Sequence, residues 1–403
     1  MKNFVLNEGY NKNKIFDSAK NSYIFIKKRK YLDLGSCSGA KIIGHNTKID
    51  KKIFSDFYKK NITNISAPNK QSIDFAKNLK KILPNFSKFI FCNSGSESII
   101  KSIRIARAIT KKDLVVSSTG SWHGSVDQFL YGSDNKLNKI KLSDGLSEVD
   151  KKRLILIPYN DILRTKKILL RYKNKISCIL IEPIQGCLPL PEAKNYIKFL
   201  QNFSKKNKIL LIFDEMITGL RTNCKSLQSH LKIKTDISTF GKVFGSGVPI
   251  GFIGISKNIE KILKKKKLSV YFGGTFSGNS QNMYFANENL KYLIKNRNKI
   301  FPKINNNALF IQKKINKFCK KSYIDVKVYR FMSMLRIVFS SKDIKDRQTR
   351  DFLEKEKNKN ILIFKNYIYR KKIYYPNNGI LFISASVSKN QILYITKTII
   401  EGL

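Results

Sequence analysis

An α/β layer fold on a largely parallel sheet is what this sequence predicts, and two observations carry the prediction. Short apolar runs alternate along the chain with stretches of helical periodicity, and several runs are apolar at consecutive positions instead of every second one. A strand covered on both faces reads in that way, and a helix between strands is the usual parallel crossover. The predicted strands are residues 86–92, 114–117, 154–157, 176–181, 209–213, 237–240 and 251–255. Between them, Ile99, Ile103, Ala106 and Ile109 share one helical face within 98–110, and Tyr196, Phe199, Leu200 and Phe203 share another within 196–206.

The two ends differ from this centre. Beyond residue 285 the chain turns Lys/Asn-rich and helical, and segments 325–339 and 374–386 read as strands. Near the start, 23–26 and 31–34 read as short strands. The expected organisation is an N-terminal segment (1–53) contributing to a small α+β domain, a large domain (54–289) and a C-terminal part of the small domain (290–403). A chain of 403 residues that is 42% hydrophobic can fill such a core.

Composition narrows the function classes. No apolar run approaches the roughly 20 residues that span a bilayer, and residues 1–8 lack the apolar centre of a signal peptide. The six cysteines are scattered without a CxxC pair, so reduced thiols and a cytoplasmic location are expected. The net charge of +50 is mostly lysine spread along the whole chain, in runs such as Lys51-Lys52 and Lys264 to Lys267. Solvated faces explain such runs. No specific nucleic-acid or membrane partner is expected, and a non-catalytic polyanion-binding protein on the same fold is the remote alternative.

Four motifs fall at predicted carboxyl ends of strands, where open α/β sheets bind ligands. In Asn93-Ser94-Gly95-Ser96-Glu97-Ser98 a strand ends and a helix begins, so unpaired N–H groups and the dipole favour an anion; an ordinary N-cap reads the same way. Ser121-Trp122-His123-Gly124 holds the single Trp and one of three His residues, suited to stacking on a planar ligand or to a plain core. Phe213-Asp214-Glu215-Met216 places carboxylates after a very apolar strand, where a protonated ring nitrogen would pair with Asp214; a helix cap or a metal ligand are the competing readings, and no His/Cys cluster supports the metal. Phe240-Gly241-Lys242-Val243 sets a lysine in a glycine-rich loop, where desolvation would make it a nucleophile; alone it is one loop lysine among many.

Taken in order, these motifs resemble the class-III aminotransferases of the fold-type-I pyridoxal-phosphate superfamily, with glutamate-1-semialdehyde 2,1-aminomutases as the nearest subgroup. Gly44-His45-Asn46, Glu182-Pro183-Ile184-Gln185-Gly186 and Gly274-Thr275-Phe276-Ser277-Gly278-Asn279 complete the match, which runs from about Tyr31 to Phe285. The resemblance implies a central seven-stranded sheet with helices on both faces and the cofactor pyridoxal 5'-phosphate, held as a Schiff base by Lys242, which also shuttles the proton. It implies that Asp214 pairs with the ring nitrogen, Met216 and Trp122 lie on the two ring faces, and Ser94, Gly95 and Ser96 cradle the phosphate. His123 joins the cofactor-binding set and Glu182 stands near the cofactor edge. Thr275 reaches the phosphate in the partner of a homodimer. The implied reaction moves an amino group from a donor such as glutamate to a carbonyl acceptor; the alternative is the intramolecular aminomutase. The stretch 375–388, where many members bind the substrate carboxylate with Arg, contains none, nor do residues 1–28; Lys14 is a substitute candidate.

Overall fold

The computed structural model describes residues 15–65, 67–134, 136–190 and 193–403; Lys14 lies outside them. Three strands open the described chain, β1 (Ser18–Lys20), β2 (Tyr23–Ile26) and β3 (Arg29–Asp33). The central sheet follows: β4 (Phe86–Cys92), β5 (Leu114–Ser118), then a small hairpin of β6 (Tyr131–Ser133) and β7 (Lys139–Lys141) outside the sheet, then β8 (Leu154–Ile157), β9 (Ile176–Ile181), β10 (Leu210–Asp214), β11 (Ile237–Gly241) and β12 (Gly251–Ser256). The seven central strands stand in the order β4-β12-β11-β10-β9-β5-β8. All run parallel except β12, which is antiparallel to both neighbours. The predicted mostly parallel seven-stranded sheet is therefore present, each strand within a residue of its expected bounds.

The reason lies in burial. Every residue of β9, β10 and β11 is buried, including the polar Ser177, Asp214, Ser238 and Thr239. Helices cover both faces. Tyr196, Leu200 and Phe203 of the helix Lys194–Lys206 join Ile179, Ile181 and Phe213 in one core, while Ile99, Ile103 and Ala106 of the helix Gly95–Thr110 join Val115, Leu180 and Ile212 in another. At roughly 1.5–3 kcal/mol for each large apolar side chain buried, these two layers fix the strand order and thereby which loops meet.

Residues 325–339 form two strands, β13 (Lys327–Phe331) and β14 (Met334–Val338), as an antiparallel hairpin. The turn is at Met332 and Ser333, and Met332 takes a left-handed φ of 50°. Residues 374–386 likewise divide, into β15 (Ile373–Tyr374), paired with β3, and β16 (Ile380–Phe382), paired with β14. Both chain ends thus share a sheet, β1-β2-β3-β15. Among the described residues no helix is long and apolar enough to cross a membrane.

Candidate active site

Parallel strands place their carboxyl ends along one edge, and five of the predicted segments follow those ends: Ser94 to Ser96 after β4, Ser121 to Gly124 after β5, Glu182 to Gly186 after β9, Asp214 to Met216 at β10 and Lys242 after β11. They enclose a cavity of about 190 Å³ lined by Gly95, Ser96, Ile99, Trp122, His123, Gly124, Glu182, Asp214, Met216, Ile217, Lys242 and Ile250.

Asp214 is buried, and each of its oxygens is held. Oδ1 accepts from Met216 N–H at 3.0 Å and lies 3.4 Å from Thr239 Oγ1, while Oδ2 is 2.8 Å from His123 Nδ1. The other imidazole nitrogen, Nε2, is 3.0 Å from Ser117 Oγ. A buried carboxylate with this many partners is fixed in place on the cavity lining.

Lys242 sits in a left-handed backbone conformation, φ 46°, directly after Gly241. Burial lowers its pKa from the usual lysine value, with Asp214 and Glu182 opposing and Arg221 adding to the fall. A larger share of neutral amine near pH 7 follows, and only the neutral amine is a nucleophile. Glu182 accepts from Trp122 N–H at 2.7 Å and Gly186 N–H at 2.8 Å, tying two lips of the cavity together. Burial, and then Asp214, push its pKa up.

The helix Gly95–Thr110 begins at the cavity. Ser94 is its N-cap and accepts from Glu97 N–H at 3.2 Å; Ser96 Oγ accepts from Ser125 N–H at 3.0 Å. A Cβ at Gly95 would come within 3.0 Å of Met216 Sδ, so the absent side chain leaves the passage between the helix start and Met216 open. The first N–H groups of the helix have no intrahelical acceptor and suit an anion.

The expected site residues Gly95, Ser96, Trp122, His123, Glu182, Asp214, Met216 and Lys242 therefore meet at one cavity. Ser94 stands just behind, its hydroxyl used as a cap, and Thr275 lies on an exposed turn away from the lining. Sequence reasoning passed over Ser117 and Arg221. Fully buried Arg221 donates to Ile217 O at 2.8 Å, to Ser333 Oγ at 3.2 Å and to Gly39 O, with its guanidinium 4.8 Å from the centre of the Phe382 ring. Burial lowers its pKa to about 9, and it ties the turn that follows β10 to both chain ends. Nothing local to Thr218-Gly219-Leu220-Arg221 signals this, because apart from Ile217 its partners lie more than a hundred residues away.

Comparison with known proteins agrees with this geometry. The family model described as Aminotransferase class-III matches residues 7–370. The chain is 32% identical over 351 residues to a glutamate-1-semialdehyde 2,1-aminomutase of Thermodesulfovibrio yellowstonii, covering 86% of this chain and 81% of the relative. It is 34% identical over 334 residues to one of Wigglesworthia glossinidia brevipalpis, covering 81% and 75%. Among solved structures, an omega-transaminase from Sphaerobacter thermophilus superimposes with a TM-score of 0.88 at 19% identity, covering 96% of this chain and 90% of that one. A glutamate-1-semialdehyde aminomutase from Pseudomonas aeruginosa PAO1 gives 0.83 at 14% identity, covering 96% and 87%.

Proposed function

This chain belongs to the class-III aminotransferase family, whose members depend on pyridoxal phosphate, and on that premise we propose that it transfers an amino group from a donor such as glutamate to a carbonyl acceptor, with Lys242 as the cofactor lysine. The observation that carries the reading is the meeting of a desolvated amine (Lys242), a fixed carboxylate (Asp214) and a helix start (Gly95, Ser96) on different walls of one cavity. Those three groups suit the aldehyde, the ring nitrogen and the phosphate of the cofactor, so the residues present fit it.

When bound, pyridoxal phosphate supplies a carbonyl carbon that takes an amine and a ring that accepts electrons as the Cα–H bond of that amine breaks. The chain supplies the rest. Lys242 would hold the cofactor through its amine and would move the proton at the donor's α-carbon. Asp214 holds the ring N–H; His123 and Thr239 fix that carboxylate, and Ser117 fixes the far nitrogen of His123. Trp122 and Met216, both on the cavity lining, would offer the ring its two faces. Gly95 and Ser96 would take the phosphate, with Ser94 capping the helix behind them and Thr275 of a second subunit adding a hydroxyl. The homodimer is supported by exposed aromatics on either side of Thr275, Tyr271 at 74% and Phe276 at 60%.

Purified protein with pyridoxal phosphate is expected to show an absorption band that shifts when an amino donor is added and that is missing in Lys242→Ala. A colourless wild type without affinity for the cofactor would end the proposal. The names of the relatives favour a second reading, the intramolecular aminomutase on glutamate-1-semialdehyde. Turnover by the pyridoxamine form with no external 2-oxo acid would select it over the intermolecular reaction.

A further inference from the structure

The turn that carries Thr275 is exposed at its tip, Gly273 to Phe276, and buried again from Gly278. An exposed tip has little packing of its own, so its position is set by what holds its two ends. Side chains from elsewhere in the chain do so. Arg104 Nη1 donates to Tyr271 O at 2.7 Å, Lys101 Nζ donates to Ser277 Oγ at 3.3 Å, and Asn69 Nδ2 donates to Gly278 O at 2.9 Å. Beyond it the chain enters the helix Ser280–Lys295, which Asn279 caps.

Lys101 and Arg104 both belong to the helix Gly95–Thr110, which begins at the cavity. Three residues apart, they lie on one side of it. Lys101 differs from the chain's many surface lysines because it is buried, its side chain 7% exposed. It also pairs with Glu97, one turn earlier, at 3.4 Å. Such a pair stabilises a helix slightly while both groups stay solvated, and burying the ammonium costs more than that gain. The helix alone therefore gives no reason to bury it. The Thr275 turn does, because Ser277 lies against the ammonium and gives it a second acceptor.

A polar chain runs from this contact back to the cavity. Glu97 Oε2 accepts from Asn93 N–H at 3.4 Å, and Glu97 N–H donates to the Ser94 hydroxyl at 3.2 Å. Asn93 and Ser94 immediately precede Gly95 and Ser96 of the cavity lining. Glu97 and Lys101 thus join the helix start of a subunit to its own Thr275 turn.

We infer that Lys101 is a positioning residue for cofactor binding: it holds the Tyr271 to Ser277 segment against the helix that opens at the cavity, and so fixes where Thr275 presents its hydroxyl. The inference rests on the reading above, in which that hydroxyl meets the cofactor phosphate of a second subunit. The helix that begins at one cavity then sets a phosphate contact in the other.

Equilibrium dialysis of the full chain with pyridoxal phosphate, and with pyridoxal, which has no phosphate, tests it. Thr275→Ala should weaken pyridoxal phosphate on the order of tenfold and leave pyridoxal within about twofold. Lys101→Met keeps the length of the side chain and removes the charge; it should weaken pyridoxal phosphate roughly threefold to tenfold and spare pyridoxal in the same way. Ser277→Ala removes the other end of the bond and should match it. Because all three act through one hydroxyl, Lys101→Met in the Thr275→Ala background should add no more than about twofold. A full multiplicative loss in the double variant would make Lys101 a separate electrostatic contributor, and equal losses with pyridoxal would make its part structural; either result overturns the inference. Thr275→Ala with unchanged affinity for pyridoxal phosphate would refute the assignment of Thr275 to the phosphate, and the inference with it.

Discussion

The cavity has two walls of unlike construction. One is made of strand ends from a single sheet, and its polar groups are held from several sides: Asp214 by Met216, Thr239 and His123, Glu182 by Trp122 and Gly186. The other is an outer layer, outside the residues that line the cavity and brought from the chain ends: the turn Ser36 to Gly39, braced by Arg221, and the helix bearing Arg347, half-exposed and bound by few groups. The turn places three consecutive non-glycine residues, Ser36, Cys37 and Ser38, at φ of 45°, 50° and 51°. Such conformations carry roughly 1–3 kcal/mol of strain each and persist where surrounding structure enforces them. The contrast separates polar groups fixed by short bonds along one sheet edge from segments that only the fold of the two chain ends holds in place.

Substitutions should divide along that line. On the first wall, Lys242→Ala is expected to lower amino transfer on the order of a thousandfold or more, measured as single-turnover change in the cofactor spectrum. Asp214→Asn keeps the shape and removes the charge; a fall on the order of a hundredfold to a thousandfold in kcat, with donor KM little changed, is expected from steady-state kinetics. Where the two meet, Gly120→Ala forces a side chain from the β5 loop against Arg347 at a positive φ. Its thermal midpoint should fall by about 2–4 °C or more while cofactor affinity, followed by equilibrium dialysis, stays within twofold. Loss of cofactor in that variant would erase the distinction between the walls.

A smaller effect probes the floor beneath both. Burial pushes Glu215 up to about 8 from 4.5, its Oε2 accepts from Leu227 N–H, and its Oε1 has no partner. The folded state therefore binds the proton more tightly than the unfolded chain. That contribution is fully present below pH 4.5 and is lost as pH rises towards 8. Glu215→Gln, which stays neutral, should flatten the fall in thermal midpoint across this window and be more stable than wild type by about 1 kcal/mol or more at pH 8. Parallel curves for the two proteins would show that Glu215 is already ionised in the fold.

What could be read in advance follows the same division. The seven strands are legible because complete burial leaves continuous apolar runs, as in 176–181 and 210–214. The cofactor wall is legible because each element is a short contiguous motif at a strand end. The hairpin at Met332 and Ser333 is not: a tight turn with positive φ usually announces itself with Gly, Asn or Asp, and here Met supplies it. The two-residue β15 carries no periodicity, and its pairing with β3 joins positions over three hundred residues apart. Arg347 and Arg221 look like any other basic residues in a chain of net charge +50. Their meaning comes from partners that only the fold brings near.

The central claim is that Lys242, among all the lysines of this chain, is the one that holds the cofactor. Borohydride reduction of the holoenzyme followed by peptide mass spectrometry tests it directly. The expected result is one pyridoxyl-phosphate adduct, on the peptide containing Lys242, and none after prior conversion to the pyridoxamine form. An adduct on another lysine, or label scattered over surface lysines with Lys242 untouched, would contradict the account.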